Sequence, residues 1–235
     1  VAALGLAQTV NQGLKTLIIN PTEMVAYEYM NTFKLPDVYT KGAEYYKKFQ
    51  DLEVDILLNT EVSKIGEENG LYSLEVFTGT GFSTVRTKVL VDTTEREADI
   101  SEKSLNCLLI NKPNEDSLEA STSKDEAFME YFSEIKKVSF VHQPDENLEL
   151  KIMKLECPIE INMLDARHKL INIWKERPQN LHSWKMVAIG FCFETKPVFG
   201  LREKAKNYTL LPSAYYNTPE DSFQAGVDLG RRLMG

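Results

Sequence analysis

Cysteine is scarce in this sequence of 235 residues, which contains three: Cys107, Cys157 and Cys192. They are scattered and form neither a CxxC redox pair nor a spacing typical of a metal site. Free, buried thiols are therefore expected, and a chain without disulfides suits a reducing compartment. The sequence predicts no metal centre.

Long apolar runs and positive charge are lacking as well. No apolar run approaches the roughly 20 residues that a membrane-spanning helix needs. Lys and Arg total 27 against 35 Asp and Glu, which gives a net charge of −8. An acidic chain without a basic tract is a poor candidate for binding nucleic acid or an anionic membrane. The acidic charge and the lack of paired cysteines favour a cytoplasmic protein, and a homo-oligomer is left open.

The three histidines, His142, His168 and His182, are isolated from one another and from any Cys, Asp and Glu cluster. A catalytic base among them is one interpretation, but surface or hydrogen-bonded histidines are the default. No catalytic residue is predicted. The chain starts at Val1, inside an expected helix, so either a targeting segment has been removed or upstream residues are missing.

The most informative stretch runs from Asp51 to Arg96. Its apolar runs are Val54–Leu58, Leu71–Phe77, Phe82–Arg86 and Val89–Asp92. Turn signals at 68–70 and 79–81 separate them, and residues 72–77 alternate as a strand with one buried face does. The stretch predicts a strand, a β-meander and a buried parallel strand that ends at Asp92 in a polar loop.

The N-terminal region predicts half of a βαβ unit. Residues 1–12 keep one apolar helical face, Gly13 is placed as the C′ cap, and residues 15–20 form a buried strand. Residues 21–36 are either a short helix capped by Thr22 or an extended arm. Residues 39–52 then form an amphipathic helix.

The C-terminal end carries the clearest helix signal. Thr218 is an N-cap residue, Pro219 fits the first helical position, and two acids follow. Gly226 and Gly230 share one face of this helix and allow another backbone to pack closely.

Residues 97–195 differ in character and predict an α+β domain. Its expected strands are 105–110, 137–141, 148–155 and 184–194, and its expected helices begin at the capping box 123–126 and at Asn162.

The order of these elements resembles FAD-dependent oxidoreductases of the glutathione-reductase and hydroxylase type. The resemblance implies an α/β fold, a three-layer FAD/NAD(P)-binding Rossmann-like domain with a parallel sheet, helices and a β-meander. That domain would comprise 1–96 and 196–235. The inserted α+β domain, 97–195, would cover the flavin and hold substrate.

The resemblance also implies FAD as cofactor and a set of contact positions. Ala2 falls near the third glycine of the family's phosphate-binding loop, Asn20 stands where the family has an acid for the ribose, and Arg202 lies in a segment similar to GxRExRxxxxxxL. The implied cofactor-binding residues are Ala2, Asn20, Glu61, Val62, Thr93, Thr94 and Arg202.

Three positions keep alternatives open. Asn20 either accepts a ribose hydrogen bond or merely ends a strand. Glu95 replaces a glycine of the family's loop, and its side chain would crowd a close backbone approach. Arg202 binds an anion or forms a surface ion pair with Glu203 or a neighbour.

Two functions follow. The first is a flavin-dependent oxidoreductase acting on an unidentified small molecule, in which the flavin does the chemistry. The alternative is a degenerate module that has lost FAD and serves as a non-catalytic binding protein. An enzyme using a nicotinamide cofactor directly fits worse, because it leaves the meander and the terminal helix unexplained.

Overall fold

The computed structural model describes residues 1–23, 26–34, 38–111, 135–141 and 149–235. The chain is of the α/β class and divides into two compact units. The first unit comprises Val1–Tyr27, Lys41–Asp99 and Pro197–Gly235, and the second comprises Glu28–Thr40 and Ile100–Lys196.

The described helices and strands are numbered in chain order. The α-helices are α1 (Ala2–Val10), α2 (Tyr27–Thr32), α3 (Val38–Gln50), α4 (Met163–Lys175) and α5 (Pro219–Met234). The strands are β1 (Leu17–Ile19), β2 (Asp55–Leu57), β3 (Glu61–Glu68), β4 (Leu71–Thr78), β5 (Gly81–Thr87), β6 (Leu90–Asp92), β7 (Ile100–Asn111), β8 (Ile135–Val141), β9 (Glu149–Glu156), β10 (Lys185–Ile189), β11 (Glu194–Pro197), β12 (Arg202–Ala205) and β13 (Tyr208–Leu210). Among the described residues, no helix combines the length and apolar character needed to cross a membrane.

Parallel strand pairings occur in two separate sheets of the first unit. β1 pairs with β2 in parallel, with Ile18 opposite Ile56. β6 pairs in parallel with β13, which pairs antiparallel with β12. Because the carboxyl ends of parallel strands meet at one edge, the residues after β1 and β2 are neighbours, and so are those after β6 and β13.

The β-meander of the first unit is β3–β4–β5. Its inner face carries Tyr72, Leu74 and Val76, which alternate as predicted and are buried. The turn at Asn69-Gly70 has positive φ at both residues, the geometry that suits the twist of a two-residue hairpin. The first meander strand, β3, was not located from sequence because its side chains are almost all exposed and mostly polar.

The second unit is built on an antiparallel sheet in the order β10–β7–β9–β8, with β11 also pairing with β7. One face of β7 and β9 buries Leu105, Cys107 and Leu155 against α4. The tryptophans Trp174 and Trp184 close the same core. Asn162 caps α4, its side-chain oxygen accepting the Asp165 N–H at 2.9 Å.

The structure corrects three details of the sequence analysis. Gly13 lacks the positive φ of a C′ glycine, and instead leaves room for the Met234 side chain. Thr22 is no helix cap, since α2 begins at Tyr27 and the Thr22 hydroxyl accepts a hydrogen bond from Asn20. The strand predicted at 184–194 ends at Ile189, because the backbone then turns at Gly190 before β11.

Other expectations are confirmed or fall outside the described residues. Cys107 and Cys157 are buried and free, and Cys192 is half-buried. His168 and His182 are exposed. His142, the capping box at 123–126 and the helix expected after it lie outside the described residues.

Candidate functional site

Helices α1 and α5 of the first unit are in backbone contact. A Cβ placed at Gly226 would lie 2.0 Å from the carbonyl oxygen of Ala2, and one at Gly5 would lie 2.0 Å from that of Phe223. Farther along, Gly230 abuts Thr9. The pairs Ala2–Gly226, Thr9–Gly230 and Gly13–Met234 advance along both helices in the same sense, so the two helices run parallel and their N-termini lie at the same end.

The N-terminus of α1 is joined to the end of β6 by one residue, Ser213. The Ala2 N–H donates to Ser213 Oγ at 3.1 Å. The Ser213 N–H donates to the carbonyl of Thr93 at 3.3 Å. Two predicted cofactor positions, Ala2 and Thr93, are thereby brought to one place. Ser213 is not among the residues predicted from sequence, because it lies in no recognisable motif.

The first turn of α5 contributes a buried hydroxyl at the same end. Ser222 is 0% exposed, and its Oγ has no hydrogen-bond partner among the described residues. It precedes Gly226 by one turn and therefore lies on the face that packs against Ala2. Since helical side chains tilt toward the N-terminus, the hydroxyl points to the end that α1 and α5 share. Buried hydroxyls are normally paired, and this one has no partner among the described residues.

Helix α3 packs beside this end of α5. Lys41 forms an ion pair with Glu220, in the first turn of α5. One turn along, the rings of Tyr45 and Phe223 lie 5.8 Å apart. The ion pair with Lys41 lowers the pKa of the Glu220 carboxyl. Burial, reinforced by Glu220 and other acids, raises the pKa of Tyr45 to about 12.

A polar cluster formed by Asp92, Thr94, Arg96 and Tyr208 closes the end of β6. Asp92 accepts hydrogen bonds from the backbone and hydroxyl of Thr94 at 3.0 and 2.6 Å. Arg96 donates to Asp92 at 2.6 Å and to the Tyr208 hydroxyl at 2.6 Å. These hydrogen bonds connect Asp92 to Thr94 and Arg96, and the carbonyl of Thr93 between them accepts the Ser213 N–H.

Burial raises the pKa of the Asp92 carboxyl, but the hydrogen bonds from Thr94 and Arg96 lower it by more. The net result is a pKa below the usual value, so Asp92 is ionised at neutral pH. For the same reason, the hydrogen bond to Asp92 raises the pKa of Arg96.

We expect Asp92→Asn to destabilise the protein by about 2 kcal/mol at pH 7, because it removes charge-assisted hydrogen bonds at a side chain that is 13% exposed. A folded-state pKa below the unfolded value means that this stability is present above about pH 4 and is lost as the pH falls through the folded pKa. Chemical denaturation at several pH values checks this. The gap between wild type and variant should narrow in acid, and a gap independent of pH would contradict the assignment. Asp228→Asn, whose side chain is 50% exposed beside Arg231, is the control and should cost less than about 0.5 kcal/mol.

A second group of predicted positions lies at the ends of β1 and β2. The Asn20 side chain donates to the carbonyl and hydroxyl of Thr22 at 3.0 and 2.9 Å. The Thr60 N–H donates to the carbonyl of Asn20. Glu61 and Val62 follow Thr60 directly and are exposed. The side-chain amide of Asn20 therefore stabilises the turn after β1, and its carbonyl is bonded to Thr60, the residue that precedes Glu61.

Arg202 stands apart from both groups. It begins β12, two strands away from β6 in the same sheet. Its guanidinium lies 3.7 Å from Asp99 and 4.2 Å from the centre of the Phe199 ring. The ion-pair interpretation of Arg202 thus has a partner in the structure, but it is Asp99 rather than Glu203. The Arg202 side chain is 51% exposed.

The described residues contain no group of His, Cys, Asp and Glu able to hold a metal ion. The first unit places the N-termini of two parallel helices, α1 and α5, at the same end as the buried hydroxyl of Ser222. Beside it lies a strand-end loop held by ionic hydrogen bonds.

The chain is similar in fold to solved oxidative enzymes. One is CabE, an aromatic hydroxylase from angucycline biosynthesis, with 10% identity, a TM-score of 0.58, and coverage of 100% of this chain and 60% of that one. A second is BexE, studied for oxidation during BE-7585A biosynthesis, with 10% identity, a TM-score of 0.56, and coverage of 97% and 58%. A third is the p-nitrophenol 4-monooxygenase PnpA from Pseudomonas putida DLL-E4, with 13% identity, a TM-score of 0.51, and coverage of 99% and 75%.

These likenesses establish the fold, which the chain shares with aromatic hydroxylases and monooxygenases. No protein-family model matches the chain, and no curated protein sequence does. The chain spans 58% of BexE and 60% of CabE, less than two thirds of either.

Proposed function

We propose that this chain is the cofactor- and substrate-holding part of a flavin-dependent oxidoreductase that acts on a small organic molecule, with FAD as its cofactor. The observation that carries the proposal is the likeness of fold to CabE, BexE and PnpA over 97–100% of the chain. The likeness includes the residues of both units and is therefore not limited to a shared nucleotide-binding motif. The proposal includes the three-layer FAD/NAD(P)-binding arrangement for the first unit.

The residues present fit an FAD molecule at one decisive point. A diphosphate is an anion, and the shared N-terminal end of α1 and α5 presents helix dipoles of the right sign. The Ser222 hydroxyl, buried there without a partner among the described residues, would acquire one in a phosphate oxygen. FAD, when bound, would supply the redox chemistry, which ordinary side chains do not provide.

The other proposed contact residues fall into groups, each beside a different part of FAD. Ala2, Thr93 and Thr94 would hold the diphosphate and the flavin side, through the loop that Asp92 and Ser213 keep in place. Asn20, Glu61 and Val62 would hold the adenosine end, where β1 and β2 end together. Arg202 would attract an anionic group of cofactor or substrate.

A second candidate function is a non-catalytic binding module with the same fold. Donors at the predicted positions already have partners within the chain: the Ala2 N–H in Ser213, the Asn20 amide in Thr22, and both Thr94 donors in Asp92. A ligand must compete with these bonds, and Glu95 stands where a glycine would let the backbone approach.

The visible absorbance spectrum of the purified protein, recorded after FAD addition and desalting, separates the two functions. We expect flavin bands that survive desalting, together with a rise in melting temperature. A flat spectrum without a change in melting temperature would overturn the proposal and leave the binding module.

Ser222→Ala sharpens this test because its two effects have opposite signs. Removing a buried hydroxyl without a partner should leave the free protein as stable or more stable, by up to about 1 kcal/mol. The same change should weaken FAD binding about fivefold, because a phosphate hydrogen bond is lost. Ser83→Ala, at an exposed residue of β5, is the matched control and should change neither quantity. Loss of stability in Ser222→Ala, with affinity unchanged, would assign the hydroxyl a structural role.

A further inference from the structure

The first turn of α5 carries two acids at the end where an anion is proposed to bind. Asp221 accepts the Thr218 hydroxyl at 2.8 Å as part of the helix cap. Glu220 accepts a hydrogen bond from its own backbone N–H and is also paired with Lys41. Acids in a first turn stabilise the helix, but they repel a phosphate at the same place. Lys41 therefore offsets one of the two negative charges at this end of α5.

Lys41 is supported from two sides. Its ammonium lies 3.9 Å from Glu44 on its own helix and contacts Glu220 on α5. The neighbouring Tyr45–Phe223 ring pair, with Lys48 4.6 Å from the Tyr45 ring centre, holds α3 against α5. The base of the Lys41 side chain is thus fixed near the α5 N-terminus, while its ammonium remains on a flexible stem.

Breaking the ion pair between Lys41 and Glu220 requires little free energy. The two side chains are 30% and 49% exposed, and a pair as exposed as this contributes little to stability because water solvates both charges when it opens. A diphosphate carries more charge than one carboxylate and presents more acceptor oxygens, so it would compete well for the same ammonium.

We propose that Lys41 exchanges its ion-pair partner from Glu220 to the diphosphate when the nucleotide binds, so that these two residues set the affinity of the site. The inference rests on the proposed function, because it takes the shared end of α1 and α5 as the diphosphate position. Its independent support is the buried hydroxyl of Ser222 in the same turn as Glu220. Glu220 competes with the ligand for the Lys41 ammonium, so only ligands with enough negative charge displace it.

Isothermal titration with ADP, which carries the diphosphate, and with adenosine, which lacks it, tests the exchange on the full chain. Glu220→Gln should tighten ADP binding about fivefold, since a competing charge is gone. Lys41→Gln should weaken it about tenfold, and Lys41→Arg should restore most of the loss. Adenosine binding should be unaffected by all three. Glu44→Gln removes the same charge beside the same lysine but on α3 rather than on α5, and it should shift ADP affinity less than twofold.

The outcomes separate the two proposals. Suppose that the wild type binds ADP. If Glu220→Gln and Glu44→Gln then have equal affinities for ADP, or if Lys41→Gln binds ADP as tightly as the wild type, the exchange is overturned and the flavin proposal stays in place. Equal changes for ADP and adenosine also overturn it, because the effect would then not involve phosphate. Wild type that binds neither ADP nor FAD overturns both proposals.

Discussion

Gly226→Ala is expected to destabilise the first unit by about 3 kcal/mol, an effect at the upper end of the usual cost of overpacking. The added Cβ would stand 2.0 Å from the Ala2 carbonyl oxygen and 2.7 Å from the Leu6 nitrogen. Both are backbone atoms, so no side chain can rotate away and the helices must separate. The intrinsic preference of Ala for helix recovers about 1 kcal/mol, which the clash outweighs.

Hydrogen exchange of the α1 amides measures this loss within the first unit. Gly79→Ala is the control, because a Cβ there meets nothing within 4 Å, and its effect should stay within about 0.5 kcal/mol. Adding Gly5→Ala to Gly226→Ala should cost less than Gly5→Ala alone, since helices already pushed apart have room for the second methyl group. Strict additivity would mean that the two glycines do not report on one interface.

The separation of α1 and α5 would also reach the candidate site. Ala2 is both the residue against Gly226 and the donor to Ser213, so a shift of α1 moves an amide of the proposed diphosphate position. We therefore expect weaker FAD binding in Gly226→Ala than in Gly79→Ala.

Leu170→Ala is expected to destabilise the second unit by about 3 kcal/mol. Leu170 is 0% exposed and lies in the core formed by α4, β7 and β9. Shortening a fully buried Leu loses its transfer free energy and leaves a cavity, because the sheet and helix relax only in part.

Tryptophan fluorescence reports this unit selectively, since the two tryptophans of the sequence, Trp174 and Trp184, both belong to that core. Leu164→Ala makes the same chemical change on the same helix at a side chain that is 62% exposed, and it should cost less than about 0.5 kcal/mol. Equal losses for the two variants would mean that helix propensity, rather than burial, governs the effect.

Local signals were enough to predict most elements of both units. The cap of α5 illustrates this, because Thr218 and Pro219 act within one turn of the chain and the hydroxyl accepts the Asp221 N–H at 3.1 Å as expected. Strand β4 was predicted because burial of one sheet face imposes a period of two. Strand β3 was not, because an exposed edge strand has no such constraint on its residues.

The close contact between α1 and α5 could be predicted only in part. Two glycines one turn apart on α5 predict that some backbone approaches that face, but they carry no information about which backbone it is. The partner, α1, lies at the opposite end of the chain.

The sequence by itself thus determined the α/β class, most of the helices and strands, and the buried face of β4, because each follows from short-range periodicity and capping. Only the tertiary structure decided which polar groups meet. Ser213 joins Ala2 and Thr93, Lys41 pairs with Glu220, and Ser222 is buried at the shared end of two helices. These pairings depend on the path of the backbone between residues far apart in sequence, and that path is determined by the packing of the whole unit rather than by any local pattern.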